Sequence, residues 1–268
     1  MLFNFSLHKM TKEEWALVTG IVGAAAWIVP IFAALKSWLR RPVVTVIPSW
    51  GAQIGFTELG PVLNIKVALT ANHDVLIDSV QLCLTHESGA RFLFRWHEVV
   101  EVKGHLIFPG AQSQPLFQEA EAIAMKILST DIKDVELRNR LSTHTETFRK
   151  FARRWAIERH RLMNAGRYDP EHYYHTETVQ GLISFLRSQM IWRSGRYTLK
   201  FEIGTRTPAK LAAPVLELIL SNDDIVLLQE NSDNVEIFLK NATYNGIFNY
   251  VPTPTTWHWL DPEVRKVG

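Results

Sequence analysis

The chain of 268 residues is 47% hydrophobic and 21% charged, the balance of a folded protein with room for one large or two small domains. A formal net charge of +2 supplies no global field to recruit nucleic acid or an anionic surface, so any such role needs a local patch. Cys83 is the single cysteine, which excludes an intramolecular disulfide and a cysteine-based zinc cluster.

Residues 1–14 read as a short N-terminal tail. From Trp15 to Leu35 the chain carries no charge and no strongly polar group except Thr19. A helix of that length rises about 31 Å, close to the roughly 30 Å of a bilayer's hydrocarbon core. No polar stripe marks it as a soluble surface helix, so it is predicted to be a transmembrane helix. Ala24-Ala25-Ala26 matches a signal-cleavage pattern, but the apolar run continues past it to Leu35, which favours a retained anchor. Gly20, Gly23 and Ala24 lie near one face and are candidates for helix–helix contact in a homo-oligomer. Residues 36–42 form a basic juxtamembrane linker. Lys36, Arg40 and Arg41 outnumber Lys9 and Lys12 by one charge, which predicts a cytoplasmic globular domain.

Beyond Pro42 the apolar period becomes two. Val44–Pro48, Leu63–Leu69, Asp78–His86 and Ala90–Val100 read as strands, the last two joined by Glu87-Ser88-Gly89 in a hairpin. His105–Pro109 and Gln118–Leu128 are further strand candidates. No Gly or Pro interrupts Asp131–Ala165, and Phe148, Phe151, Trp155 and Leu162 recur at helical spacing. A second helix begins near Glu171, with Val179, Leu182, Ile183 and Leu186 on one side. Strands return at Tyr197–Ile203 and Pro214–Leu220, and Ser221 with Asp223 and Asp224 opens a C-terminal helix.

The expected fold is therefore α+β: an N-terminal transmembrane helix, then a β-sandwich-like domain over residues 43–249 with a two-helix insertion at about 131–190 and a C-terminal helix. Residues 250–268 are expected to form an irregular tail.

The strongest local signal is Phe148–Arg167. Arg149, Lys150, Arg153, Arg154, Arg159 and Arg161 stand there beside one acid, Glu158, with the aromatics on the opposite helix face. Such a face reads either as a solvated helix surface, partly offset by Asp131, Asp134, Glu136 and Glu146 upstream, or as one that suits anionic lipid headgroups or an acidic protein partner; nucleic acid is the weaker match. Trp257 and Trp259 flank His258 in the tail and suit either a membrane interface or packing over a sheet edge.

Catalytic signals are thin. There is no G-x-S-x-G elbow and no phosphate loop. His172 and His175, with Glu171 or Glu177, supply fewer convergent ligands than zinc needs, and H-E-x-x-H is missing. Asp223/Asp224 and Asp131/Asp134 lie at expected helix starts, where acids favour the helix dipole. No cofactor, catalytic residue or metal ligand is expected. The expectation is a single-pass, membrane-anchored binding, sensing or scaffolding protein with its domain in the cytoplasm. The alternatives are an envelope or assembly factor on the far side of the membrane, or a metal-dependent hydrolase.

Overall fold

The computed structural model describes residues 26–32, 35–36, 41–106 and 114–267. The chain divides after Pro42 into two units, each taken here by itself. In the first, residues 26–32 are helical, and Trp27, Ile28, Val29, Ile31 and Phe32 are all exposed. Among the described residues no helix is long and apolar enough to cross a membrane. Most of the expected span at 15–35, the tail at 1–14, and Gly20, Gly23 and Ala24 lie outside the described residues.

The second unit is α+β, as the sequence predicts, and its strands belong to one large mixed sheet that curls into a half-barrel. The strands are β1 (Val43–Thr57), β2 (Gly60–Ala71), β3 (Val75–His86), β4 (Arg91–Leu106), β5 (Gln114–Glu121), β6 (Met125–Ile127), β7 (Lys133–Leu141), β8 (Gly195–Thr205), β9 (Lys210–Ala212), β10 (Leu216–Leu220), β11 (Trp259–Leu260) and β12 (Arg265–Lys266). The main path runs β11-β1-β2-β7-β4-β3-β8-β10-β12. All pairings are antiparallel except β1 with β9. The curl has a visible origin in β4. Its first residues pair with β3, and from Glu98 onward the same edge pairs with β5 instead. The start of β3, left free by β4, pairs with the short β6 on that edge, while the other edge of β3 pairs with β8.

Alternation decides which side is filled. Ile54, Phe56, Leu63, Ile65, Leu69, Leu82, Leu84 and Leu137 are 0–1% exposed and line the inner side. Each such side chain contributes about 1.5–3 kcal/mol relative to exposure. Helix α1 (Ser142–Asn164), the short α2 (Pro170–Tyr174), α3 (Glu177–Ser188) and α4 (Asn222–Tyr244) supply the rest of the core. Val179, Leu182, Ile183 and Leu186 of α3 and Leu228, Val235 and Leu239 of α4 are buried, as their spacing predicts. A capping box between Ser221 and Asp224 starts α4.

Two expectations are corrected. The helical insertion begins at Ser142: Lys133–Leu141 is a central strand between β2 and β4. The uninterrupted run from Asp131 hid a period of two, with Val135, Leu137, Asn139 and Leu141 buried between exposed or half-buried neighbours. Asp131 and Asp134 consequently do not start a helix. The tail, expected to be irregular, contributes two short strands. β11 extends β1 and β12 pairs with β10, so consecutive elements of the tail join the two ends of the sheet path. Leu260 and Arg265 are five positions apart, and five residues span at most about 17 Å, which bounds the gap between the two edges.

Three asparagines of α4 hold this tail. Asn231, fully buried, donates from Nδ2 to His258 O at 2.7 Å and accepts His258 N–H at Oδ1, also 2.7 Å. Asn241 repeats the pattern on Thr253, at 2.7 and 3.0 Å, and Asn234 donates to Thr256 O. Each amide serves the extended tail as a neighbouring strand would. Asn231→Ala takes both bonds from the half-buried His258 N–H and C=O, so urea denaturation should show a loss of about 1–2 kcal/mol. A loss under about 0.5 kcal/mol would mean the tail is not held there.

Candidate functional site

Helix α1 sits on the half-barrel through one face. Phe148, Phe151, Trp155 and Leu162 pack against the core. At its start His144 is 1% exposed and stacks between Phe148 and Phe185, with centroids 5.3 Å from each. Neither ring nitrogen has a hydrogen-bond partner. Burial, with a smaller push from Arg140, lowers the His144 pKa from 6.5 to about 4. The ring is therefore neutral at ordinary pH and acts as an apolar wedge.

The opposite face of α1 is cationic. Arg149, Lys150, Arg153, Arg154 and Arg161 are exposed, and none takes part in an ion pair among the described residues. Lys150, Arg154, Ile157 and Arg161 follow at spacings of four, three and four, so they form one line about 16 Å long. Ile157, 57% exposed, stands inside that line. Arg159 is different. Its Nε donates to Tyr168 Oη at 3.2 Å and its Nη2 to Asn245 O at 2.9 Å, while the guanidinium lies over the Trp155 and Tyr168 rings. It ties α1 to the end of α4, so five of the six expected basic residues form the free face.

A second arrangement lies on the outer face of the sheet, where β1, β2, β7 and β4 run side by side. Asn64, Glu98, Arg138 and Arg140 line a cleft of about 360 Å³, together with Glu58 and both tail tryptophans. Glu98 lies between two guanidinium groups, 3.3 Å from Arg138 Nη1 and 3.6 Å from Arg140 Nη2. Arg138 is further held by Glu119 at 3.0 Å and Glu136 at 3.3 Å. Burial would lower its pKa, but hydrogen bonds and attraction from these carboxylates prevail and raise it. Arg140 goes the other way: burial lowers its pKa, Glu98 and Glu58 oppose, and Arg149 adds to the lowering. Burial, Arg140 and Arg149 likewise push the His97 pKa down, against Glu98 and Glu121.

The tryptophans come from the strapped tail. Trp259 pairs with Gly55, and its ring lies so close to that residue that an added Cβ would stand 2.6 Å from it. Trp257 is half-buried, its ring 6.3 Å from Phe238. Both pack on the protein at the sheet's β1 end while keeping part of their surface free.

The remaining sequence candidates separate. His175 Nε2 lies 3.2 Å from Glu171 Oε1, while His172 is exposed. Among the described residues no group of three or more His, Cys, Asp or Glu side chains is arranged to hold a metal ion. Cys83 is buried, and Arg91 Nε donates to its Sγ at 2.7 Å. Asp224 is used by the α4 cap. Arg138, Arg140 and Asn64 were not singled out by sequence. For Arg138 and Arg140 the signal was the alternation in K-D-V-E-L-R-N-R-L, masked by the helical reading of that stretch, while Asn64 stands on the polar side of the Leu63–Leu69 alternation. Comparison with protein families, curated proteins and solved structures finds no match to this chain.

The buried His144 makes stability depend on pH. Its folded pKa is below its unfolded value, so the unfolded chain binds the extra proton first on acidification. The stabilisation is complete above about pH 6.5 and is lost progressively as pH falls towards 4, by roughly 2–3 kcal/mol. Denaturation midpoints across that range should fall in the native protein and flatten in His144→Leu. The same slope in both proteins would exclude His144 as its source.

Proposed function

We propose that the chain is a single-pass, membrane-anchored binding protein whose β-rich unit faces the cytoplasm and rests the basic face of α1 on anionic lipid. The observation that carries this reading is the line of exposed cations with Ile157 among them and no carboxylate paired to them among the described residues. A solvated helix face usually interleaves both signs, with acids at i±4 of the bases. On α1 Glu146 and Glu158 stand four residues before Lys150 and four after Arg154, yet neither pairs with a base among the described residues, and between those two acids every charged residue is a cation. Near an anionic surface each is worth about 1 kcal/mol, and Ile157 can enter the headgroup region.

The N-terminal segment supports the same location. The described helical residues from Trp27 to Phe32 expose large apolar side chains, which suits a lipid environment better than water. The charge excess of Lys36, Arg40 and Arg41 favours the cytoplasmic side, where anionic lipid is concentrated. The absence of match to any family adds no activity to this reading, and the function proposed is binding at a surface.

Flotation of residues 43–268, a unit with its own core, measures the surface contact without the anchor. Phosphatidylserine-rich vesicles should carry it at low salt, and phosphatidylcholine vesicles should not. Lys150→Glu, Arg154→Glu and Arg161→Glu together should weaken partitioning by about two orders of magnitude with an unchanged melting temperature. Equal binding by this triple variant, or equal binding to both vesicles, would reject the contact. Sidedness is read separately by a C-terminal reporter active only in the cytoplasm, for which activity is expected.

A further inference from the structure

The end of the sheet at which the chain enters has a composition of its own. Val43 opens β1 and is tied twice to the β2–β3 turn. Its N–H donates to Asn72 Oδ1 at 2.7 Å, and its C=O accepts Asn72 N–H at 3.3 Å. Asp74, in the same turn, accepts Ser129 N–H at 3.0 Å and so holds the link between β6 and β7. A bond from Asp131 N–H to Leu128 O, 3.1 Å, closes that link into a turn. On its other side β1 pairs with β9, Val43 standing opposite Lys210. Val43, the β2–β3 turn, the β6–β7 link and β9 therefore form one connected rim.

Loops at a sheet end are ordinarily polar, and this rim is not. Ile132 is 68% exposed, and Leu128 and Leu211 are exposed on the same rim. The turns at the far end, Glu58–Leu59 and Glu87–Ala90, present no exposed large apolar side chain. Arg206 and Lys210 are also exposed on the rim, with Asp131 as the opposing acid, while Lys126 pairs with Asp74 at 3.8 Å.

Chain length says what faces this rim. Residues 36–42 join the predicted span, which ends at Leu35, to Val43, and a linker of that length reaches at most about 25 Å. The linker thus keeps the rim within its reach of the bilayer in every orientation. The far end of β1, a strand of 15 residues, stands up to roughly 45 Å further off.

We propose that this rim rests on the bilayer, with Ile132 entering the headgroup region and Arg206 and Lys210 meeting lipid phosphates. So few side chains do not hold a membrane by themselves; the linker supplies the effective concentration. The inference rests on the membrane anchor of the proposed function. It is independent of the contact made by α1, whose first residue follows the far end of β7.

The test uses the full-length chain in phosphatidylcholine–phosphatidylserine proteoliposomes. Ile132→Cys and Leu211→Cys on the rim, Ser88→Cys at the far end and Arg154→Cys on α1 each carry a polarity-sensitive maleimide dye. Cys83 is buried, and the unaltered chain treated alike gives its background. All four positions are exposed, so the substitutions should leave the melting temperature unchanged. Nitroxide lipid labelled at the headgroup should quench the dyes at positions 132 and 211 at least about threefold more than the dye at position 88. Equal quenching at the rim and at position 88, in a chain that resists carbonate extraction, rejects the rim contact. If the dye at position 154 is quenched in that same experiment, the contact of α1 stands while the rim contact fails. Extraction of the full-length chain by alkaline carbonate removes the anchor, and the rim contact fails with it.

Discussion

The half-barrel depends on a strap. A curled sheet with a continuous path has two ends, and each end presents unpaired backbone groups. Here one extended segment serves both: Trp259–Leu260 pairs with β1 and Arg265–Lys266 pairs with β10. Backbone bonds from Ala52 to Pro262, Val264 to Trp50 and Val267 to Val215 continue the closure. The segment stays extended because Asn231 and Asn241 grip its backbone as a strand would. Asparagine is a poor helix interior residue, and its use on α4 trades helix propensity for this clamp.

The closure sorts chemistry by side. Alternation sends apolar residues inward, and among the described residues the buried polar side chains are neutral ones such as Asn139, His144 and Asn231. Charge lies on the outer sheet face, on the free side of α1 and on the outer surface of α3 and α4, where Arg187 pairs with Glu236 at 2.7 Å. The outer face is not uniform. Ion pairs hold Arg138 and Arg140, while Asn64, one strand away in the same cleft, keeps a buried Oδ1 without a partner. The strap reaches the outer face at this point, because Trp257 and Trp259 form part of the cleft wall and are positioned by it. Gly55 permits the closest approach, since any side chain there would occupy the place of the Trp259 ring.

Much of this was legible in the sequence where one rule decides locally. The alternation of Leu63–Leu69, the paired runs around Gly89 and the spacing of Val179–Leu186 each gave the observed element. The separation of aromatics from bases on α1 was readable in the same way. The ties of Arg159 were not legible locally, because its partners, Tyr168 and Asn245, come from elsewhere in the fold. β7 was missed because the absence of Gly and Pro is compatible with either period. The cleft was illegible for a related reason: it joins β1, β2, β4 and β7 to the tail, and only strand register brings residues 64, 140 and 259 to one face. The role of the tail was half visible, since packing over an edge suits Trp257 and Trp259, but nothing local says that one segment reaches both edges.

Hydrogen exchange on the full-length chain, native against Asn231→Ala, tests the strap most directly. If the tail holds both ends of the sheet, loss of one clamp should reduce protection in β1 around Ala52–Phe56 and in β10 around Leu216–Leu218 together. β2, β7 and the centre of β4 should keep their protection. Loss confined to residues 253–260, with β10 unchanged, would contradict the closure and with it the account of how the cleft is built.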